Sequence, residues 1–177
     1  MADLTINHLR RDHLQARKIL AELEALLKNL DSGFQLTPER REAFDKISKY
    51  FTEDLTSLIH KEDEILYPSL KELFPSDLGP LSVLRNENLT LCFNFRRVCE
   101  IAKSLRQGEN PPEILRDIVQ CGWKAVEVLH DHLYKEERVL FPMVARFLTP
   151  ELDAELVGKM ENLHTAGNPL DSIKQQI

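Results

Sequence analysis

The chain has 177 residues, with 23 Lys and Arg against 29 Asp and Glu, and a formal net charge of −6. This length fits one domain of ordinary globular composition, which can fold without a disulfide or a structural metal. The acidic balance argues against nucleic acid as the main partner. No apolar stretch approaches the ~20 residues of a membrane-spanning helix, so no membrane partner is expected.

The three cysteines, Cys92, Cys99 and Cys121, form no CxxC motif. An odd number without that motif is typical of reduced thiols in the cytosol. The first four residues lack the basic and apolar regions of a secretion signal. We therefore expect a cytoplasmic protein.

Apolar residues recur every three or four positions, which is typical of helices. The first helix is predicted over about 5–30, followed by an Asp-Ser-Gly stretch that ends it. The second begins at Thr37-Pro38-Glu39, with Thr as the N-cap residue, and continues to about Phe74. Pro68 lies inside this helix and is expected to kink or break it.

The third helix is predicted over about 80–107 and the fourth over about 110–148, with Pro142 placed much as Pro68 is in the second. A short fifth helix begins at Thr149-Pro150-Glu151, and the tail from Thr165 is expected to be frayed.

Long helices with short connections predict an all-α fold: an up-down-up-down antiparallel four-helix bundle plus a short C-terminal helix. We assign the bundle to residues 1–148, and the short helix with its tail to residues 149–177. The second and fourth helices are weakly similar, since KEDEILYP at 61–68 corresponds to KEERVLFP at 135–142. This internal similarity suggests two related helical hairpins.

Each of the four long helices carries a polar residue near the middle of its apolar face. These residues are His13, Glu62, Asn88 and Glu136, with His132 on the flank of the fourth face. In an antiparallel bundle they lie at one level, ~15 Å from the end at 1.5 Å per residue. The sequence therefore predicts a single polar layer inside the core.

Buried carboxylates need a proton, a cation or a metal, and no Lys or Arg falls on these faces at that level. Two imidazoles with two carboxylates suit Fe, Mn or Zn. His13, Glu62, His132 and Glu136 are therefore the candidate metal ligands. Taken singly, each has a structural alternative, such as a hydrogen-bonded core histidine or a His–Glu pair at the solvent edge.

Three further residues are lower-ranked candidates. His60 and Glu64 have the same spacing as His132 and Glu136, but they fall on the opposite side of the helix from Glu62 and are expected at the surface. Only a helical bulge would turn them inward. Asn88 is expected to be a hydrogen-bonding core amide rather than a ligand.

The stretches LRRDH at 9–13, HKEDEILYP at 60–68 and HLYKEERVLFP at 132–142 resemble the hemerythrin-like (HHE cation-binding) family. The resemblance covers roughly residues 4 to 148. It implies a four-helix bundle around a non-haem di-iron centre, bridged by carboxylates and ligated by histidines. It also implies that His13, Glu62, His132 and Glu136 match family ligands.

Two positions depart from the family pattern, because Leu58 and Asn88 stand where the family has histidines. Each departure removes an imidazole, so the resemblance implies a mononuclear, altered or vestigial site. Since members of the family store or sense O2, respond to nitric oxide or peroxide, or report iron status, the expected partners are a metal ion and a small gas or peroxide.

Our interpretation is a hemerythrin-like metal-binding protein with a reduced or altered site that senses or binds O2, NO, peroxide or metal. Iron, mono- or dinuclear, ranks before manganese and zinc as the cofactor. The alternative is a metal-free helical regulatory or interaction module that retains the fold. An enzyme ranks last, because the sequence places no proton-transfer group or nucleophile. A protein partner or a homodimer is left open.

Overall fold

The helices of a computed structural model account for most of the chain. The structure describes residues 4–30, 36–71, 79–105 and 110–163. Five helices occupy these ranges: α1 (Leu4–Leu30), α2 (38–69), α3 (Pro80–Ser104), α4 (112–144) and α5 (Pro150–Glu161). No strand occurs within the described residues, which confirms the all-helical prediction.

The helix starts follow the threonine–proline signals of the sequence. The side chains of Thr37 and Thr149 accept hydrogen bonds from the backbone N–H three residues on, at 3.4 and 3.2 Å. These bonds satisfy N–H groups that have no partner inside α2 and α5. The predicted stops at 31–33, Pro75 and 107–108, together with the tail from Thr165, lie outside the described residues.

Both α2 and α4 contain π-helical turns. The turns are Phe51–Leu55 and Lys61–Leu66 in α2 and Glu136–Leu140 in α4. Pro68 and Pro142 each follow the end of such a turn by two residues, and both helices end within two residues of the proline. A π turn shifts the hydrogen bonds from i→i+4 to i→i+5, so the chain enters each proline through a widened turn before the helix stops.

The apolar stripes of the long helices form one core. α1 packs against α2 and α4, and α3 packs against α4 and α2. Gly122 of α4 packs closely on α1, since an added Cβ would lie 2.6 Å from the Leu27 side chain. Phe147, which continues the apolar period of the fourth helix in the sequence, follows the end of α4 at Val144 and is exposed.

Ion pairs show that α1 and α2 run in opposite directions, and that α3 and α4 do too. Asp12–Lys61 and Glu87–Lys135 join an early residue of one helix to a late residue of the next, and Glu22–Lys46 and Arg97–Asp117 join a late residue to an early one.

α5 holds the beginning of α1 in place. The carboxylate of Asp153 accepts hydrogen bonds from the backbone N–H groups of Leu4 and Thr5, both at 2.8 Å. A carboxylate at a helix N-terminus satisfies unpaired donors and complements the helix dipole. α5 also packs against the π turn of α2 at Lys61–Leu66. None of the helices in the described ranges combines the length and apolar character that a bilayer crossing requires.

Candidate metal centre

The structure brings the five residues of the predicted polar layer together inside the core. They are His13, Glu62, Asn88, His132 and Glu136, and each is at most 1% exposed. They come from all four long helices.

Three side-chain atoms meet at one point of this layer. The Nε2 of His13 lies 3.1 Å from the Oε2 of Glu136 and 4.0 Å from the Oε1 of Glu62. Each residue offers an atom within 4.8 Å of the other two. All three atoms are buried, and none has a hydrogen-bond partner. Two carboxylate oxygens and an imidazole nitrogen that converge in the core form a donor set that fits a cation.

His132 of α4 lies beside these three residues. Its Nε2 lies 3.4 Å from the Oε2 of Glu62 and 3.7 Å from the Oε2 of Glu136. Residues four apart share a helix face, which explains why His132 and Glu136 point the same way.

The other nitrogen of each imidazole is held by a carboxylate. The Nδ1 of His13 lies 3.0 Å from Glu137, which forms an ion pair with Arg17 at 2.8 Å. The ring of Phe141 stacks on the His13 imidazole, with the ring centroids 5.2 Å apart. These contacts keep the Nε2 of His13 turned into the cluster.

His132 has an equivalent arrangement on the other side of the layer. Its Nδ1 lies 3.3 Å from Glu87, and Glu87 is paired with Lys135. Both imidazoles therefore use Nδ1 to bind a charge-paired carboxylate and present Nε2 to the interior. The sequence analysis missed Glu87 and Glu137. The only signal for them is an acidic residue next to Asn88 and next to Glu136.

Tyr67 is a further residue of the layer that the sequence analysis missed. Its hydroxyl donates a hydrogen bond to the Oε1 of Glu136 at 2.8 Å and lies 3.5 Å from the Oε2 of Glu62. In an α-helix, a residue five positions on lies about 140° around the axis. The π turn bonds the Tyr67 N–H to the Glu62 carbonyl, which returns Tyr67 to the face of Glu62.

Asn88 acts as a hydrogen-bond donor. Its Nδ2 donates to the Oε2 of Glu62 at 3.1 Å and to Asp63 at 3.4 Å, whereas its Oδ1 is buried without a partner. An amide nitrogen facing two carboxylates avoids the repulsion that its oxygen would meet there.

The two buried glutamates titrate differently. Burial, and then the charge of Glu136, raises the pKa of Glu62 from its ordinary 4.5 to about 7. Burial opposes the ionisation of Glu136 too, but His132, His13 and Tyr67 together hold its pKa below the ordinary value. Burial lowers the pKa of His132, yet the nearby carboxylates outweigh it and raise this pKa to about 10. The pKa of His13 is raised for the same reason. In the metal-free protein, protons on the imidazoles therefore balance part of the carboxylate charge.

The lower-ranked candidates on α2 lie outside this group of atoms. His60 is half-buried and Glu64 is exposed. The π turn of α2 begins just after His60, but it does not turn these two side chains into the layer.

Cys92 of α3 is half-buried, and burial raises the pKa of its thiol to about 11, so the thiol stays protonated.

Comparison with known proteins gives a family match and several named relatives. The family described as "Hemerythrin HHE cation binding domain" matches residues 4–144. The chain is 26% identical over 155 residues to the iron-sulfur cluster repair protein YtfE of Escherichia coli O157:H7, an alignment that covers 80% of this chain and 65% of that protein. The proteins of the same name from Escherichia coli K12 (DH10B) and Shigella boydii serotype 18 are 26% identical over 152 residues, with the same coverage. The chain thus spans a little under two thirds of these relatives.

Proposed function

The chain belongs to the hemerythrin HHE cation-binding family, and on that premise we propose that His13, Glu62, His132 and Glu136 hold a non-haem metal ion. Iron ranks before manganese and zinc, because the matched relatives carry the name of iron-sulfur cluster repair proteins. The proposed role is to bind iron and to respond to a small molecule such as NO, O2 or peroxide.

One observation carries the proposal: His13 Nε2, Glu62 Oε1 and Glu136 Oε2 are buried, face one another and have no hydrogen-bond partner outside this group. Two buried carboxylates cost several kcal/mol unless protons or a cation balance their charge, and a cation between these atoms would contact all three donors. When bound, a metal ion with an open position would supply Lewis-acid or redox chemistry to a small ligand.

The surrounding residues prepare the donors. Glu137 and Glu87 fix the orientation of the two imidazoles, and their own charges are paired with Arg17 and Lys135. Tyr67 and Asn88 hold one oxygen of each glutamate, and the other oxygen of each faces the Nε2 of His13. Since imidazoles bind metal only when neutral, metal uptake should release protons from His13 and His132.

We further propose that the four long helices form the up-down-up-down antiparallel bundle that holds this layer. The opposed ion pairs of α1 with α2 and of α3 with α4 support this arrangement. The bundle would occupy residues 1–148, with α5 and the tail in 149–177 as an appendage. The cytoplasmic location and any protein partner remain predictions.

Metal loading of the purified chain tests the proposal. Chelator-treated protein is offered Fe(II), Mn(II) or Zn(II) without oxygen, freed of unbound metal and submitted to elemental analysis. We expect Fe(II) to be retained at close to one equivalent or more. His132→Ala and Glu136→Ala should lose most of it, because each removes a donor. His60→Ala is the matched control and should bind like wild type.

Retention below a tenth of an equivalent of every metal would refute the proposal. That result would favour the metal-free interaction module instead.

A further inference from the structure

We propose that the polar layer binds one metal ion and has no place for a second. This inference rests on the proposed function and adds the number of ions to it. It follows from the hydrogen-bonding state of each donor atom in the layer.

The internal repeat shows which donors are missing. Aligning the two hairpins pairs Glu62 with Glu136, and it pairs Leu58 with His132, since each lies four residues before its glutamate. Leu58 is buried, and a leucine cannot ligate a metal. The α1–α2 hairpin therefore supplies one imidazole and one carboxylate.

The α3–α4 hairpin lacks a different donor. Asn88 lies about as far into α3 as His13 lies into α1, and it uses its amide nitrogen to donate to Glu62. This hairpin also supplies one imidazole, that of His132, and one carboxylate. The layer as a whole holds two imidazoles and two carboxylates, which together match the ligand number of one four-coordinate site.

Of the four oxygens of Glu62 and Glu136, two accept a hydrogen bond from Tyr67 or Asn88 and two do not. The Oε1 of Glu62 and the Oε2 of Glu136 accept no hydrogen bond from Tyr67 or Asn88 and face the Nε2 of His13, at 4.0 and 3.1 Å. The Oε1 of Glu136 accepts the Tyr67 hydroxyl at 2.8 Å, and the Oε2 of Glu62 accepts the Asn88 amide at 3.1 Å. A second ion between the carboxylates would need these two hydrogen-bonded oxygens. Binding it would therefore displace the Tyr67 hydroxyl and the Asn88 amide from their acceptors.

The charge of the layer agrees with a single ion. Two ionised carboxylates balance one divalent cation when both imidazoles are neutral. The nearby carboxylates of Glu87 and Glu137 are already neutralised by Lys135 and Arg17. A second divalent ion would leave two positive charges that no protein carboxylate of the layer offsets, in a core that excludes water.

Ion counting on the full chain tests this inference. Metal-free protein is loaded with excess Fe(II) or Mn(II), freed of unbound metal and analysed for metal per chain. We expect about one equivalent. Electron paramagnetic resonance of the Mn(II) form should show a magnetically isolated ion. Two equivalents, or a spectrum of coupled ions, would overturn the inference and leave the proposed function standing. Retention below a tenth of an equivalent would refute both.

A variant designed to bind a second metal ion provides the second measurement. The double variant Leu58→His, Asn88→His supplies the missing imidazoles and should raise retention toward two equivalents. The matched control Ser57→His, Thr90→His adds two histidines to the same helices at half-buried positions beside the layer, and should retain about one. Equal retention by the two folded variants would show that Leu58 and Asn88 do not limit the ion number. If the first variant fails to fold, the wild-type count decides alone.

Discussion

Replacing Glu62 by glutamine should stabilise the metal-free protein, although it removes a proposed ligand. Burial and the charge of Glu136 raise the pKa of Glu62 from 4.5 to about 7. The folded state therefore holds this proton more tightly than the unfolded state does. Stability then falls as the pH rises from about 4.5 to about 7, and the full cost persists above that window. At ~1.36 kcal/mol per tenfold change in proton affinity, this cost is about 3 kcal/mol at pH 8.

Glutamine keeps the shape of Glu62 and removes its charge. Its amide oxygen can accept the bond from Asn88, and its amide nitrogen can donate toward the nearby Oε2 of Glu136. We expect Glu62→Gln to gain up to about 3 kcal/mol at pH 8 and only ~1 kcal/mol at pH 5. For a chain of this size, the larger gain raises Tm by roughly 6–12 °C.

Urea unfolding of chelator-treated protein at pH 5 and pH 8 measures both values. Glu64→Gln is the control, because Glu64 is exposed and its substitution should change stability by less than ~0.5 kcal/mol. The reasoning fails if Glu62→Gln is no more stable than wild type at pH 8. It also fails if the gain is the same at both pH values.

Four other substitutions test the packing and the support of the site. Asp153→Ala should cost about 1–2 kcal/mol in urea unfolding, because it removes the cap of α1, yet leave metal retention unchanged. Gly122→Ala should destabilise by about 1–3 kcal/mol through its clash with Leu27, whereas Gly158→Ala, which meets nothing within 4 Å, should stabilise by up to ~1 kcal/mol. Glu87→Gln should weaken metal affinity about 10–100-fold in a chelator competition, and unchanged affinity would contradict its positioning role.

Much of the site could be predicted because its signals are local. A charged or imidazole side chain in the middle of an apolar stripe is visible in the sequence, and the helical period places it on a face. His13, Glu62 and Glu136 were found in this way. His132 fell on the flank of its predicted stripe, but in the structure it is as buried as the others.

Tyr67 could not be placed in the same way. Five residues after Glu62, an α-helical period puts it on another face, and only the shift to an i→i+5 bond brings it back. The same shift in α4 bonds Phe141 to the Glu136 carbonyl, and Phe141 stacks on His13. Apolar periodicity does not show where a helix changes from i→i+4 to i→i+5 hydrogen bonds.

By itself, the sequence determined the helices, the proline and threonine signals at their ends, and the presence of one polar layer in the core. These features depend on the spacing of residues along the chain. Tertiary structure alone decided which glutamate atoms are free, which histidine nitrogen faces inward, and why Glu62 and Glu136 hold their protons so differently. Those properties depend on contacts between residues up to 124 positions apart, as in the bond from His13 to Glu137, and no local pattern encodes them.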